Sequence, residues 1–127
     1  MKSFYLVAYL LFVVSLTCPV AKAAPVESPS IRVHRLVASL NVQLPPDWHF
    51  ITLNEVQWLL AVKHHETDTA FSQLPLHLTY IREEYARDAT DKRLLHTLAH
   101  EIGHYKCQCQ DESTANKIAD QLIQDSH

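Results

Sequence analysis

Leu94-Leu95-His96-Thr97-Leu98-Ala99-His100-Glu101-Ile102-Gly103-His104 is the stretch from which the rest of the chain is read. It carries H-E-x-x-H inside a helical pattern. An α-helix turns about 100° per residue, so residues four apart project from one face. His100 and His104 can therefore hold one metal ion together, with Glu101 beside it. Gly103 is the only glycine in the sequence. Glycine inside a helix costs about 1 kcal/mol relative to alanine, so its position here points to another element passing close by.

The same helix carries Leu94, Leu95, Leu98, Ile102 and Tyr105 as an apolar stripe facing a core. Thr90 or Asp91 caps it. Behind it, Cys107 to Gln110 is a short connection. Asp111 caps a last helix running from Glu112 to about Gln124, whose buried face is Ala115, Ile118, Ala119, Leu122 and Ile123. Catalytic zinc usually takes three protein ligands and keeps a fourth position for water. Seven residues separate His104 from Glu112. A sharp reversal at the connection brings Glu112 back beside the first helix, where Gly103, Ala115 and Ala119 allow the backbones to approach. Glu112 is then the third ligand of one Zn2+, with Asp111 or a thiolate of Cys107 or Cys109 as alternatives. Asn116, one turn after Glu112, is positioned to hydrogen-bond the free nitrogen of a ligand histidine. Glu101 is the general base for a zinc-activated water.

Upstream, residues 24–30 read as a linker. Ser30 is the expected cap of a first helix with Ile31, Val33, Leu36, Val37 and Leu40 on its apolar face. That helix ends before Pro45-Pro46. Asp47 to Leu53 reads as a strand. Asn54 to Val62 is read as a strand too, from the alternation of Val56, Trp58, Leu60 and Val62. His64 to Asp68 is a solvated turn. In the stretch Phe71 to Ile81, Leu76, Leu78 and Tyr80 alternate with His77 and Thr79 as a half-buried strand, and Pro75 favours an edge position. Glu83 to Asp88 is a short helical turn.

This order predicts an α+β domain over residues 31–127. A small mixed or antiparallel sheet packs on the active-site helix and the following glutamate-bearing helix, with an N-terminal helix in addition. His77 and Tyr80 are candidate oxyanion donors. They alternate in direction, so only one can reach the site, and packing in the core is the other reading of Tyr80. His96 either lines the mouth of the cleft or is a plain polar helix position.

The chain has 127 residues, 47% hydrophobic and 20% charged, which is ordinary globular material for one domain. Lys2, the apolar run from Phe4 to Val14 and Ala21-Lys22-Ala23 read as a signal peptide over residues 1–23. The alternative is an uncleaved N-terminal membrane anchor, at the short edge of spanning length. Cleavage removes two lysines and no acids, taking the formal net charge from −3 to a more negative value. That argues against nucleic acid or an anionic membrane surface as partner. The expected product is secreted or periplasmic, monomeric and free of stable membrane insertion. It keeps Cys107 and Cys109 alone, either as a disulfide or as free thiols.

HTLAHEIGH at His96–His104, followed by DESTANKIADQLI at Asp111–Ile123, resembles the gluzincin metallopeptidases, most of all the small single-domain minigluzincins. The resemblance implies that His100, His104 and Glu112 are zinc ligands, through the match of Glu112, Ala115 and Asn116 to E-x-x-A-N/D. It also implies Glu101 as catalytic base and Asn116 as support for a ligand. It further implies that an edge strand before the active-site helix binds extended peptide by strand addition, a place that Leu76–Ile81 occupies here. The metzincin pattern fails, with Cys107 at its glycine and Gln110 at its third histidine. The expected function is an exported zinc peptidase acting on peptide or protein. The alternative is a non-catalytic zinc- or copper-binding protein using His100, His104, Cys107 and Cys109. Glu101, which sequestration does not need, favours the enzyme.

Overall fold

A computed structural model describes residues 23–127. The signal segment expected over residues 1–23 therefore lies, apart from Ala23, outside the described residues. Helix α1 spans Pro29–Ser39. Strand β1 (His49–Leu53) and helix α2 (Glu55–Ala61) follow. Strand β2 (Ala70–Gln73) runs through a single 3-10 turn at Leu74–Leu76 into β3 (Leu78–Arg82). Helices α3 (Glu83–Asp88), α4 (Asp91–Cys107) and α5 (Glu112–Asp125) complete the order. The α+β class is as the sequence predicts.

The sheet order is β1-β3-β2, with β1 parallel and β2 antiparallel to the central β3. Residues directly paired across strands share a face. Ser72 pairs with Thr79 and Phe50 with Thr79, so these three lie on one face, with Ala70 and Ile81. That face is buried against α4, whose Leu94, Leu98, Ala99 and Ile102 are fully buried. Val33 and Leu36 of α1 and Ala119 of α5 close the same core. Among the described residues no helix is long and apolar enough to cross a membrane.

Several local expectations are corrected. Helix α1 begins at Pro29, and its cap is Ser28, whose hydroxyl accepts the Ile31 N–H at 3.3 Å, not Ser30. Proline suits the first helical position because its missing N–H is not needed there. Ile31, expected on the buried face, is 62% exposed. Asn54–Val62 is helix α2 rather than a strand. Asn54 and Gln57 cap each other reciprocally, which satisfies two otherwise orphaned backbone donors and starts the helix. The single strand expected within Phe71–Ile81 is two strands broken by the turn at Leu74–Leu76. Its inward residues are Thr79 and Ile81, the opposite phase to Leu78 and Tyr80. Leu76–Ile81 is also not an edge, because β3 pairs on both sides and β2 is the edge that borders α4.

Arg32 ties α1 to this frame. Its guanidinium donates to the carbonyls of Ala86 (2.9 Å), Arg87 (3.0 Å) and Ala89 (2.6 Å), and to the Asp91 carboxylate. It thus caps the end of α3 and holds the start of α4 together. Arg35 reaches Asp91 at 3.1 Å from the next turn of α1.

Candidate metal centre

The site is built on two helix termini. Thr90 caps α4 by accepting the Arg93 N–H. At the other end, Gln108 takes the left-handed conformation (φ 51°). The Gln108 N–H donates to the Tyr105 carbonyl and the Cys109 N–H to the His104 carbonyl. This is the paired bonding of a Schellman ending, which usually has glycine at the left-handed position. Asp111 then caps α5 by accepting the Thr114 N–H at 2.7 Å. Glu112 is the first residue of α5, where a carboxylate is favoured by the helix dipole.

Close packing of the two helices puts Glu112 opposite the histidines. Gly103 faces the backbone of Ala115, and a Cβ on it would stand 2.5 Å from the Ala115 carbonyl oxygen. The sole glycine is therefore required by the α4–α5 contact.

His100 Nε2 and His104 Nε2 lie 3.1 Å apart. The Glu112 carboxylate is 2.9 Å from the first and 3.4 Å from the second. All three ligand atoms fall within 4.8 Å of one another. The rings are oriented from behind. His104 Nδ1 is 3.0 Å from the Cys109 carbonyl, which can only accept, so His104 Nδ1 carries the proton. His100 Nδ1 donates to Asn116 Oδ1 at 2.8 Å. In the neutral rings both Nε2 atoms are then unprotonated and point at each other and at a carboxylate. Protonating one ring would satisfy one of these contacts, whereas a divalent cation satisfies all three. Zinc–nitrogen bonds of about 2.0–2.1 Å in a tetrahedron separate ligand atoms by about 3.3 Å, close to the spacing found. His100, His104 and Glu112 are thus positioned to hold a metal ion.

Glu101 points to the sheet side of α4 and is 7% exposed. Burial pushes its carboxyl above the ordinary range, while the Ser72 hydroxyl and then His100 and His104 pull it back. Ser72 is itself held in a chain. Trp48 Nε1 donates to Thr79 Oγ1 at 3.1 Å, and Thr79 Oγ1 lies 2.9 Å from Ser72 Oγ. An indole N–H can only donate. Thr79 is then free to donate to Ser72, which leaves the Ser72 proton available to the neighbouring Glu101 carboxylate.

A cleft of about 480 Å³ opens in front of these groups, with β2 and the loop before it as one wall and α4 as the other. His96 is on its rim, exposed, with Nε2 3.4 Å from the Asp120 carboxylate. His77 and Tyr80 are not brought to the site. His77 pairs with Asp47 at 2.9 Å and stacks on Trp48, held there by its left-handed backbone at the end of the Leu74–Leu76 turn. Tyr80 pairs with Ile51 and Phe71 on the outer sheet face, away from α4, and is half-buried there. Ser72 and His65 were not among the sequence candidates. His65, expected in a solvated turn, stacks on Phe71 and bonds Asp68 at the cleft wall. The alternation of Ala70 and Ser72 in a β2 strand was the available signal for Ser72. The two sulfurs offered as alternative ligands are joined to each other as the Cys107–Cys109 disulfide. No protein-family model, no curated protein and no solved structure matches the chain.

Proposed function

We propose that this chain is an exported zinc peptidase that hydrolyses peptide bonds in peptide or protein substrates as a monomer. The observation that carries this reading is the convergence of His100, His104 and Glu112 beside the buried carboxylate of Glu101, at the floor of a cleft. His100, His104 and Glu112 would hold the ion. Bound zinc supplies Lewis acidity, polarising a carbonyl and making water nucleophilic near neutral pH.

The remaining chemistry belongs to the chain. Glu101 accepts the proton of the attacking water and returns it to the leaving amide nitrogen. Ser72, backed by Thr79 and Trp48, keeps the Glu101 carboxylate aimed into the cleft. Strand β2 has no strand on its outer side among the described residues. An extended substrate can add to that edge through main-chain hydrogen bonds and cross the cleft beside Glu101. This is the role the gluzincin resemblance gave to Leu76–Ile81, moved one strand back.

A sequestering protein with thiolate ligands is the competing reading, and the disulfide leaves neither cysteine as a thiolate. The test compares wild type with Glu101→Gln on a denatured protein mixture. Both should bind one zinc, and only wild type should cleave. One zinc in each with no cleavage by either rejects the enzyme.

A further inference from the structure

The C-x-C turn is the sequence motif that the peptidase reading leaves unused, and it stands between the two ligand-bearing helices. We propose that the Cys107–Cys109 disulfide is a positioning element of the metal centre: it holds the Cys109 carbonyl on His104 Nδ1, and its reduction weakens zinc binding. This rests on the metal reading of the site.

Three observations carry it. The crosslink spans Gln108, the residue in the left-handed conformation. A side chain other than glycine is disfavoured there by about 1–2 kcal/mol, so the turn gains from a covalent closure around it. The carbonyl that fixes the proton on His104 Nδ1 belongs to Cys109, one of the two bridged residues. The next residues, Gln110 and Asp111, lead directly into Glu112, so loosening the turn frees one ligand's orientation and another's placement at once. Partners of this kind, hydrogen-bonded to metal-binding histidines, are commonly worth 10–100-fold in metal affinity.

Both cysteines are half-buried rather than enclosed, so a dithiol can reach them. Its thiolate attacks one sulfur and the S–S bond breaks. The second thiol then closes on the mixed disulfide. Two electrons and two protons pass to the protein, and the reductant leaves as a cyclic disulfide.

The experiment measures zinc affinity of the full chain against a chromophoric chelator, oxidised and after treatment with a trialkylphosphine. The phosphine adds no competing thiol: it takes oxygen from one water and the two sulfurs take its protons. A Cys107→Ser/Cys109→Ser double variant is treated in parallel. Reduction should weaken zinc binding by wild type about 10–100-fold, and the double variant should be equally weak and indifferent to the phosphine. In the zinc-free protein, 15N resonances of the His104 ring should move on reduction while those of His100, held by Asn116, stay in place. A purely structural role for the disulfide would lower Tm without that selective change. Unchanged affinity and an unchanged His104 ring overturn the proposal while leaving the metal reading intact. Tighter binding on reduction, confined to wild type, also overturns it, since the thiolates would then be ligands. Failure of the oxidised chain to bind zinc rejects the metal reading and this proposal with it.

Discussion

Replacing Gly103 by alanine probes the contact on which the site depends. The added Cβ would meet the Ala115 carbonyl oxygen at 2.5 Å, its Cα at 3.0 Å and its carbonyl carbon at 3.1 Å. All three are main-chain atoms of the facing helix, so no side chain can rotate out of the way. Ordinary contact begins at 3.4 Å, so α5 must retreat from α4 by about 0.9 Å at this level. Two energies oppose each other. Alanine gains about 1 kcal/mol over glycine in a helix interior. Overpacking a tight contact costs about 1–3 kcal/mol. The net loss is then up to about 2 kcal/mol, each kcal/mol being worth about 4–8 °C in Tm for a domain of this size.

The larger effect should be on metal binding. Glu112 lies three residues before Ala115 on the same helix, so its carboxylate moves with the displaced backbone. Coordination distances tolerate only about ±0.2 Å, well below the displacement required. Zinc affinity should fall by more than about tenfold, beyond what the stability change alone produces. Thermal melts with and without zinc read both terms, because a ligand that binds only the folded state raises Tm in proportion to the logarithm of its concentration over Kd. A Gly103→Ala protein that melts higher than wild type by the full helix-propensity gain, with undiminished zinc affinity, would refute the close approach of α4 and α5.

Three further outcomes are expected. Glu112→Ala should lower zinc affinity by more than about 100-fold, exceeding the usual effect of losing a supporting partner; retained stoichiometric zinc by elemental analysis excludes Glu112 as a ligand. Asn116→Ala should cost about 10–100-fold in zinc affinity by freeing the His100 ring, and a chelator titration indistinguishable from wild type contradicts the His100–Asn116 bond. Hydrogen bonds from Arg32 and Arg35 hold the Asp91 carboxyl below its usual range. A lowered folded-state pKa means that this stabilisation is complete above the unfolded value near about 4 and fades as pH falls through the folded one. Asp91→Asn should therefore melt below wild type at about pH 6 and converge with it toward about pH 2; a constant gap assigns the effect to something other than the charge.

The site's helices were readable because their signals are local. Thr90 and Asp111 announce helix starts, the i,i+4 histidines fix a face, and one glycine in a glycine-poor chain marks a close approach. Asn54–Val62 is a helix despite its alternation because the alternating apolar residues do not share one buried face. Val56 and Leu60 are 67% and 75% exposed, while Trp58 and Val62 are buried. The reciprocal Asn54–Gln57 cap was the better local signal. The phase of β3 failed for a different reason. Thr79 is fully buried, which is affordable only because Trp48 and Ser72 satisfy its hydroxyl. Those partners are 31 and 7 residues away, and hydropathy read along one strand does not reveal them.

Strand order is the piece that alters the chemistry rather than only the drawing. If Leu76–Ile81 were the edge, substrate would meet His77 or Tyr80. Because β1 and β2 both pair with β3, β3 has no free side, and among the described residues the edge that borders α4 is β2. The period of two along a strand then sorts its residues. Ser72 faces inward toward Glu101, and Phe71 faces outward with His65 stacked on it. In the proposed peptidase, one short strand would supply both an edge for an extended chain and, at Ser72, a hydroxyl beside the base. A long-range pairing is what puts those two features on the same four residues, so the H-E-x-x-H motif names the chemical groups and the sheet decides what approaches them.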